Sequence, residues 1–133
     1  MIALDTNVLV RHLMGDDPTQ SPIAHAAMAR LTPFRPGYIS LVVLVETLWV
    51  LRRSFRVSRE SAIATVRALM ETRDLSLQEP GVVAHALALA EQSGAEVPDA
   101  LIAALAQGAG CEQTWTFDWR AARRLGMELL AGS

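Results

Sequence analysis

The 133-residue sequence predicts one α/β domain, residues 1–133, in which a parallel sheet is covered by helices on both faces. Three observations carry that prediction. Short apolar runs of strand character alternate with longer helical segments along the chain, the pattern that forces parallel pairing. Breaker clusters such as Gly15-Asp16-Asp17-Pro18 separate the elements, yet no linker, repeat or low-complexity tract divides the chain. Hydrophobic residues make up 51% and charged residues 20%, a composition that buries a core.

Ile2-Ala3-Leu4 is a first apolar strand ending at Asp5, and residues 7–14 continue as a short helix stopped by the Gly15 cluster. A second helix covers residues 21–31, with Ser21 as its cap and Pro22 at its first position. After a turn through Pro33 and Gly37, Tyr38-Ile39-Ser40 forms the second strand, and residues 41–53 form a long, mostly buried helix. Ser58-Arg59-Glu60 starts a helix that runs to about Arg73, and residues 75–77 are a third strand. Helices at 81–92 and 98–107 follow. Thr114-Trp115-Thr116-Phe117 is a fourth strand ending at Asp118, and a short helix at 119–125 turns at Gly126 into a last strand, 127–130.

Composition excludes several classes of function. No apolar run is long enough to cross a bilayer, and nothing at the N-terminus marks the chain for export, so a cytoplasmic protein is expected. A mean hydropathy of +0.25 is high for so short a chain and leaves apolar surface for a partner to cover. The single cysteine, Cys111, allows neither an internal disulfide nor a cysteine metal knuckle. All 12 basic residues are arginine; without lysine, P-loop phosphate binding and Schiff-base chemistry are out of reach. A net charge of −2 argues against tight electrostatic binding to a duplex, though not against a nucleic-acid enzyme that recruits cations.

Four acids then need an explanation. Asp5 and Asp118 each follow a strand and precede a helix, where aspartate is a favoured cap. Asp99 lies in the first turn after Pro98, where negative charge suits the helix dipole. Glu46 has no such local reason: Val42, Val43, Trp49 and Val50 surround it, so its carboxylate is expected on the packed side of its helix. In an open parallel sheet the strand ends of one sense share an edge, where ligands bind. Asp5 and Asp118 end strands, and the Glu46 and Asp99 helices begin at that edge, so the four are expected to converge. Two carboxylates about 4 Å apart repel by roughly 4 kcal/mol at a protein-like dielectric. Several such pairs would rival the stability of a domain unless cations bind. Oxygen-only ligands select hard ions, magnesium or manganese, which serve phosphodiester hydrolysis.

Asp5-Thr6-Asn7-Val8-Leu9-Val10, Glu46-Thr47-Leu48-Trp49-Val50-Leu51, Asp99-Ala100-Leu101-Ile102-Ala103 and Thr116-Phe117-Asp118 resemble the four acidic motifs of PIN-domain nucleases. They are most similar to the VapC-type toxins of bacterial toxin–antitoxin pairs, in order and spacing, over nearly the whole chain. The resemblance implies a PIN-like three-layer sandwich around a central parallel five-stranded sheet. It also implies Mg2+ or Mn2+ at the acids, cleavage of RNA (transfer RNA among the expected substrates), a homodimer and a cognate antitoxin that blocks the site. Asp5, Asp99 and Asp118 would be metal ligands, Glu46 would bind metal directly or through water, and Thr6, Asn7 and Thr116 would orient the carboxylates. Arg120 departs from the pattern: many relatives carry a further acid or amide there, so a second metal loses a ligand. It is either a phosphate contact or a solvated helix residue.

Other residues read more plainly. Arg52 and Arg53, in the densest basic run, are solvated cations at a helix C-terminus or contacts for RNA. His12, His25 and His85 show no ligand spacing. Trp49 is expected in the core; Trp115 and Trp119 either pack or stack on bases. Two other functions compete with the metal-dependent endoribonuclease. A catalytically silent PIN-like module that binds RNA or protein is the first, although no acid is missing. Phosphotransfer on an aspartate is the second, and the lack of a second aspartate after Asp5 and of any lysine sets it aside.

Overall fold

The computed structural model describes residues 1–131, which form two compact units: Met1–Gln78, and a second that begins at Glu79. The first holds β1 (Ile2–Ala3), α1 (Thr6–Met14), α2 (Gln20–Met28), β2 (Gly37–Ile39), α3 (Leu41–Arg53), α4 (Arg59–Glu71) and β3 (Leu75–Leu77). The second holds α5 (Pro80–Ser93), α6 (Val97–Gly108), β4 (Trp115–Thr116), α7 (Trp119–Leu125) and β5 (Glu128–Leu129). Every predicted strand and helix is present, with ends shifted by a few residues at most.

Among the described residues a single five-stranded sheet is not seen. β1, β2 and β3 make a three-stranded parallel sheet, with Ile2 opposite Gly37 and Gly37 opposite Leu75, while β4 and β5 make a separate parallel pair. Strand length accounts for the difference. β1, β4 and β5 are two residues each, and both residues of β5 are exposed, so little buried side chain fixes a register against a further strand.

In the first unit, α1 packs on α2 and α3, and α3 on α4. The core is built from Leu9, Ile39, Leu44, Leu48, Leu51 and Val66, each nearly inaccessible. β2 enters that core through Gly37, where a Cβ would come within 2.8 Å of a Leu31 methyl and 3.0 Å of a Leu4 methyl. A side chain there would force these buried leucine methyls to shift. In the second unit α5 packs on α6 along alanines. Ala86, Ala90, Ala100, Ala103 and Ala104 are buried, and small side chains allow close helix approach.

The start of α2 differs from its sequence reading. Ser21 is not the cap: the helix begins at Gln20, and Asp17 Oδ1 accepts from the Thr19 and Gln20 amides (2.9 and 2.7 Å). Ser21 is buried and its hydroxyl accepts from the Asp17 amide, so the two residues fasten each other. The backbone hydrogen bonds of Asp17 hold its carboxyl below the usual range.

The α3 C-terminus accounts for part of the basic run. Arg52 donates to the Val57 carbonyl (2.9 Å), and the Arg53 guanidinium lies 4.3 Å from the centre of the Trp49 ring. Trp49 is therefore half-buried under a cation rather than in the core. Arg52→Ala is expected to cost about 1 kcal/mol by leaving the Val57 carbonyl short of a donor. Thermal denaturation checks this, and a variant as stable as the parent would return Arg52 to the solvated reading.

Candidate active site

The carboxylates fall two to each unit. In the first, β1 runs into Asp5, which caps α1 with extended backbone (φ −84°, ψ 159°). Its Oδ1 accepts from the Thr6 amide at 2.8 Å, while the Thr6 hydroxyl donates to Glu46 Oε1 at 3.3 Å. One residue thus tethers both acids, its backbone to Asp5 and its side chain to Glu46. Asp5, Thr6, Asn7, Arg11, Glu46 and Phe55 line a groove of about 500 Å³. Arg11 is engaged elsewhere, with Asp16 (3.3 Å) and Gln20 (3.0 Å).

Glu46 does not face the packed side of α3. The buried stripe of that helix is Leu44, Thr47, Leu48 and Leu51, and Glu46 is exposed. At about 100° per residue it stands roughly 150° from the middle of the stripe. The apolar neighbours that pointed inward are themselves uncovered or half-covered, Val42 being exposed. α3 is apolar nearly all round, so its sequence does not mark which face is the packed one.

In the second unit, Asp99 lies in the first turn of α6, between the buried residues Pro98 and Ala100. Burial, then the charges of Asp118 and Glu96, push its carboxyl above the usual range. Asp118 ends β4 and caps α7: its Oδ1 accepts from the Arg120 and Ala121 amides (2.9 and 3.3 Å), and its own amide donates to Thr116 Oγ1 (3.0 Å). Thr116 therefore fixes the backbone of Asp118. Among the described residues, none of the four carboxylates is paired with an arginine.

The donors in both units are oxygens, which fits a hard divalent cation. Asp99 has a raised proton affinity, from burial first and then from the charges of Asp118 and Glu96. Among the described residues no group of three or more ligand-type side chains able to hold a metal is present.

Three features escaped the sequence reading. Glu96 adds a third charge to the Asp99 surroundings, and its position three residues earlier, at the cap of the same helix, was a usable signal. His12 and His25, 13 residues apart, meet with Nδ1 atoms 2.9 Å apart and rings edge to face. Burial and the neighbouring His25 lower the affinity of His12 for a proton. Packing of α1 on α2 makes this pair, and no spacing rule announces it. Trp115 and Trp119 are exposed, against the packed reading.

A family model described as PIN domain matches residues 2–126, a span that reaches from the first unit through most of the second and includes all four acids. No curated protein matches the chain. No helix among the described residues is long and apolar enough to cross a membrane.

Proposed function

Since the chain belongs to the PIN domain family, whose members are generally nucleases, we propose that it is a metal-dependent endoribonuclease and the toxin of a toxin–antitoxin pair. In this reading residues 1–133 are one PIN-like domain, and Asp5, Glu46, Asp99 and Asp118 are the ligands of Mg2+ or Mn2+. The observation that carries this reading is the state of Asp99: a half-buried carboxylate beside Asp118, raised in proton affinity and without a cationic partner. The α6 dipole favours a charge there, yet burial beside a second carboxylate outweighs it, which is the state of a ligand awaiting a cation.

Magnesium or manganese at these oxygens supplies the charge that activates a water and stabilises the leaving oxygen of a phosphodiester. The protein's own part is positional. Thr6 holds Asp5 and Glu46 in fixed relation, and the α7 amides hold one oxygen of Asp118, leaving the other for the cation. Asn7, which lines the same groove as Asp5 and Glu46, supplies an amide to orient substrate or carboxylate. The partners in this reading are RNA, with transfer RNA the first substrate to test, a cognate antitoxin and a second copy of the chain, in the cytoplasm.

Incubating the purified chain with manganese and mixed RNA tests the reading. Sequencing of RNA ends is expected to show discrete cut sites that disappear with EDTA and with Asp5→Ala. Intact RNA after hours would favour the catalytically silent PIN-like module, and cutting by Asp5→Ala would discard the acid cluster as the active site. A gene product encoded next to the chain that co-purifies and suppresses cleavage would establish the toxin pairing.

A further inference from the structure

Four of the seven residues of α7 carry a pattern that the acid cluster does not use. In Trp119-Arg120-Ala121-Ala122-Arg123-Arg124, three arginines recur at three- and four-residue spacing, while Ala121 faces the core. Such spacing puts the guanidiniums on one side of a helix, where like charges repel by a few tenths of a kcal/mol per pair. The structure builds a concave surface from them: Trp119, Arg120, Arg123 and Arg124, with Ser93 of α5, line a cleft of about 500 Å³ that no acid borders.

The cations are differently occupied. Arg124 donates to the Gly94 carbonyl at 3.1 Å, which anchors the floor of the cleft to the end of α5. Arg120 lies 5.1 Å from the centre of the Trp119 ring, whose indole is 55% exposed. Arg123 has no protein partner among the described residues. In a chain of net charge −2, this is positive charge concentrated at one place, beside an open aromatic face.

We infer that the cleft seats a single strand of RNA, with Arg120 and Arg123 on successive phosphates and Trp119 stacked on an unpaired base. The inference rests on the nuclease reading and names the surface by which that site takes its strand. Asp118 caps the same helix, and at 1.5 Å per residue Arg123 stands roughly 7–8 Å along the axis from it, so a strand in the cleft runs past that carboxylate. Planar guanidiniums suit phosphate oxygens, and an exposed indole adds little to the binding of an acidic peptide but much to that of a base. A duplex hides its base faces and needs more phosphate contacts than three arginines make.

Fluorescence anisotropy of a labelled single-stranded oligouridine, in EDTA so that nothing is cut, tests the assignment. Two phosphate contacts predict that log Kd rises with log salt with a slope of about 1.4, at roughly 0.7 per contact on a single strand. Arg120→Ala/Arg123→Ala is expected to bring the slope close to zero, below about 0.5, and to weaken binding about 10-fold at low salt. Trp119→Ala is expected to weaken binding at least about 5-fold with the slope kept, because stacking releases no counterions. Arg123→Glu, at an exposed side chain with no polar partner among the described residues, repeats the loss, and circular dichroism verifies the fold of all three.

Equal affinity and slope for the parent and Arg120→Ala/Arg123→Ala overturn the inference, as does arginine-dependent capture of polyglutamate without RNA binding, which assigns the cleft to an acidic protein. Manganese-dependent cleavage is measured in parallel. Arginine-dependent RNA binding without any cleavage would remove the nuclease reading alone. Cleavage with binding indifferent to both arginines would remove this inference alone.

Discussion

Asp99→Asn is expected to stabilise the cation-free protein while abolishing cleavage. The carboxyl of Asp99 is raised above its ordinary 3.8 by burial first, then by Asp118 and Glu96. A raised carboxyl binds its proton more tightly in the folded chain than in the unfolded one. Its favourable contribution is therefore complete below the unfolded value and is lost as pH rises through the folded one. At neutral pH the parent carries the whole penalty of a desolvated, repelled charge, and asparagine carries none. The gain is at most about 1 kcal/mol after solvent screening, a rise of a few degrees in Tm, and it should vanish in acid.

Addition of manganese reverses the ranking. A cation that binds only the folded state stabilises by RT ln(1 + [L]/Kd), about 2.7 kcal/mol at a hundredfold excess over Kd. The parent gains that, and Asp99→Asn gains much less. Cleavage by the variant should fall on the order of 10³-fold or more. Differential scanning fluorimetry from acid to neutral pH, with and without manganese, reads every part of this. A variant less stable than the parent at neutral pH would mean that Asp99 makes a structural contact, and the ligand role would lose its main support.

The same carboxylates show what sequence conveys and where it stops. α3 runs from Leu41 to Arg53, the bounds its sequence predicted, because Ser40 caps it and the apolar run has no breaker inside. Strand-end aspartates were legible for a similar reason: Asp5 and Asp118 sit where short apolar runs meet helix starts. The facing of Glu46 was not legible. Apolar residues surround α3, and only packing against α1 and α4 selects Leu44, Leu48 and Leu51 as the buried stripe. Sheet pairing was beyond reach as well, since two-residue strands such as β4 and β5 encode too few side chains to name a neighbour. The cap of α2 passed from Ser21 to Asp17 because an aspartate four residues earlier bonds two amides at once, a competition that composition alone does not rank.

Asp5 and Asp118 each have an adequate structural reason to exist, since both cap helices with side-chain oxygens. Paired substitutions separate that reason from chemistry. Asparagine caps as well as aspartate does but is uncharged, so Asp5→Asn and Asp118→Asn should leave Tm within about a degree or two of the parent. Alanine removes the cap too and should cost about 0.5–2 kcal/mol at each position. If capping were the whole role, cleavage would follow stability, with asparagine active and alanine impaired. If the carboxylates hold a cation, both substitutions should lower cleavage by on the order of 10³-fold, with asparagine as damaging as alanine despite its intact helix. The contrast is sharpest at Asp118, where one oxygen is already committed to two amides and the charge of the other is all that asparagine removes. Initial rates on a defined RNA, beside thermal denaturation of the same four variants, decide between the two, and an active Asp118→Asn would leave that residue a cap and nothing more.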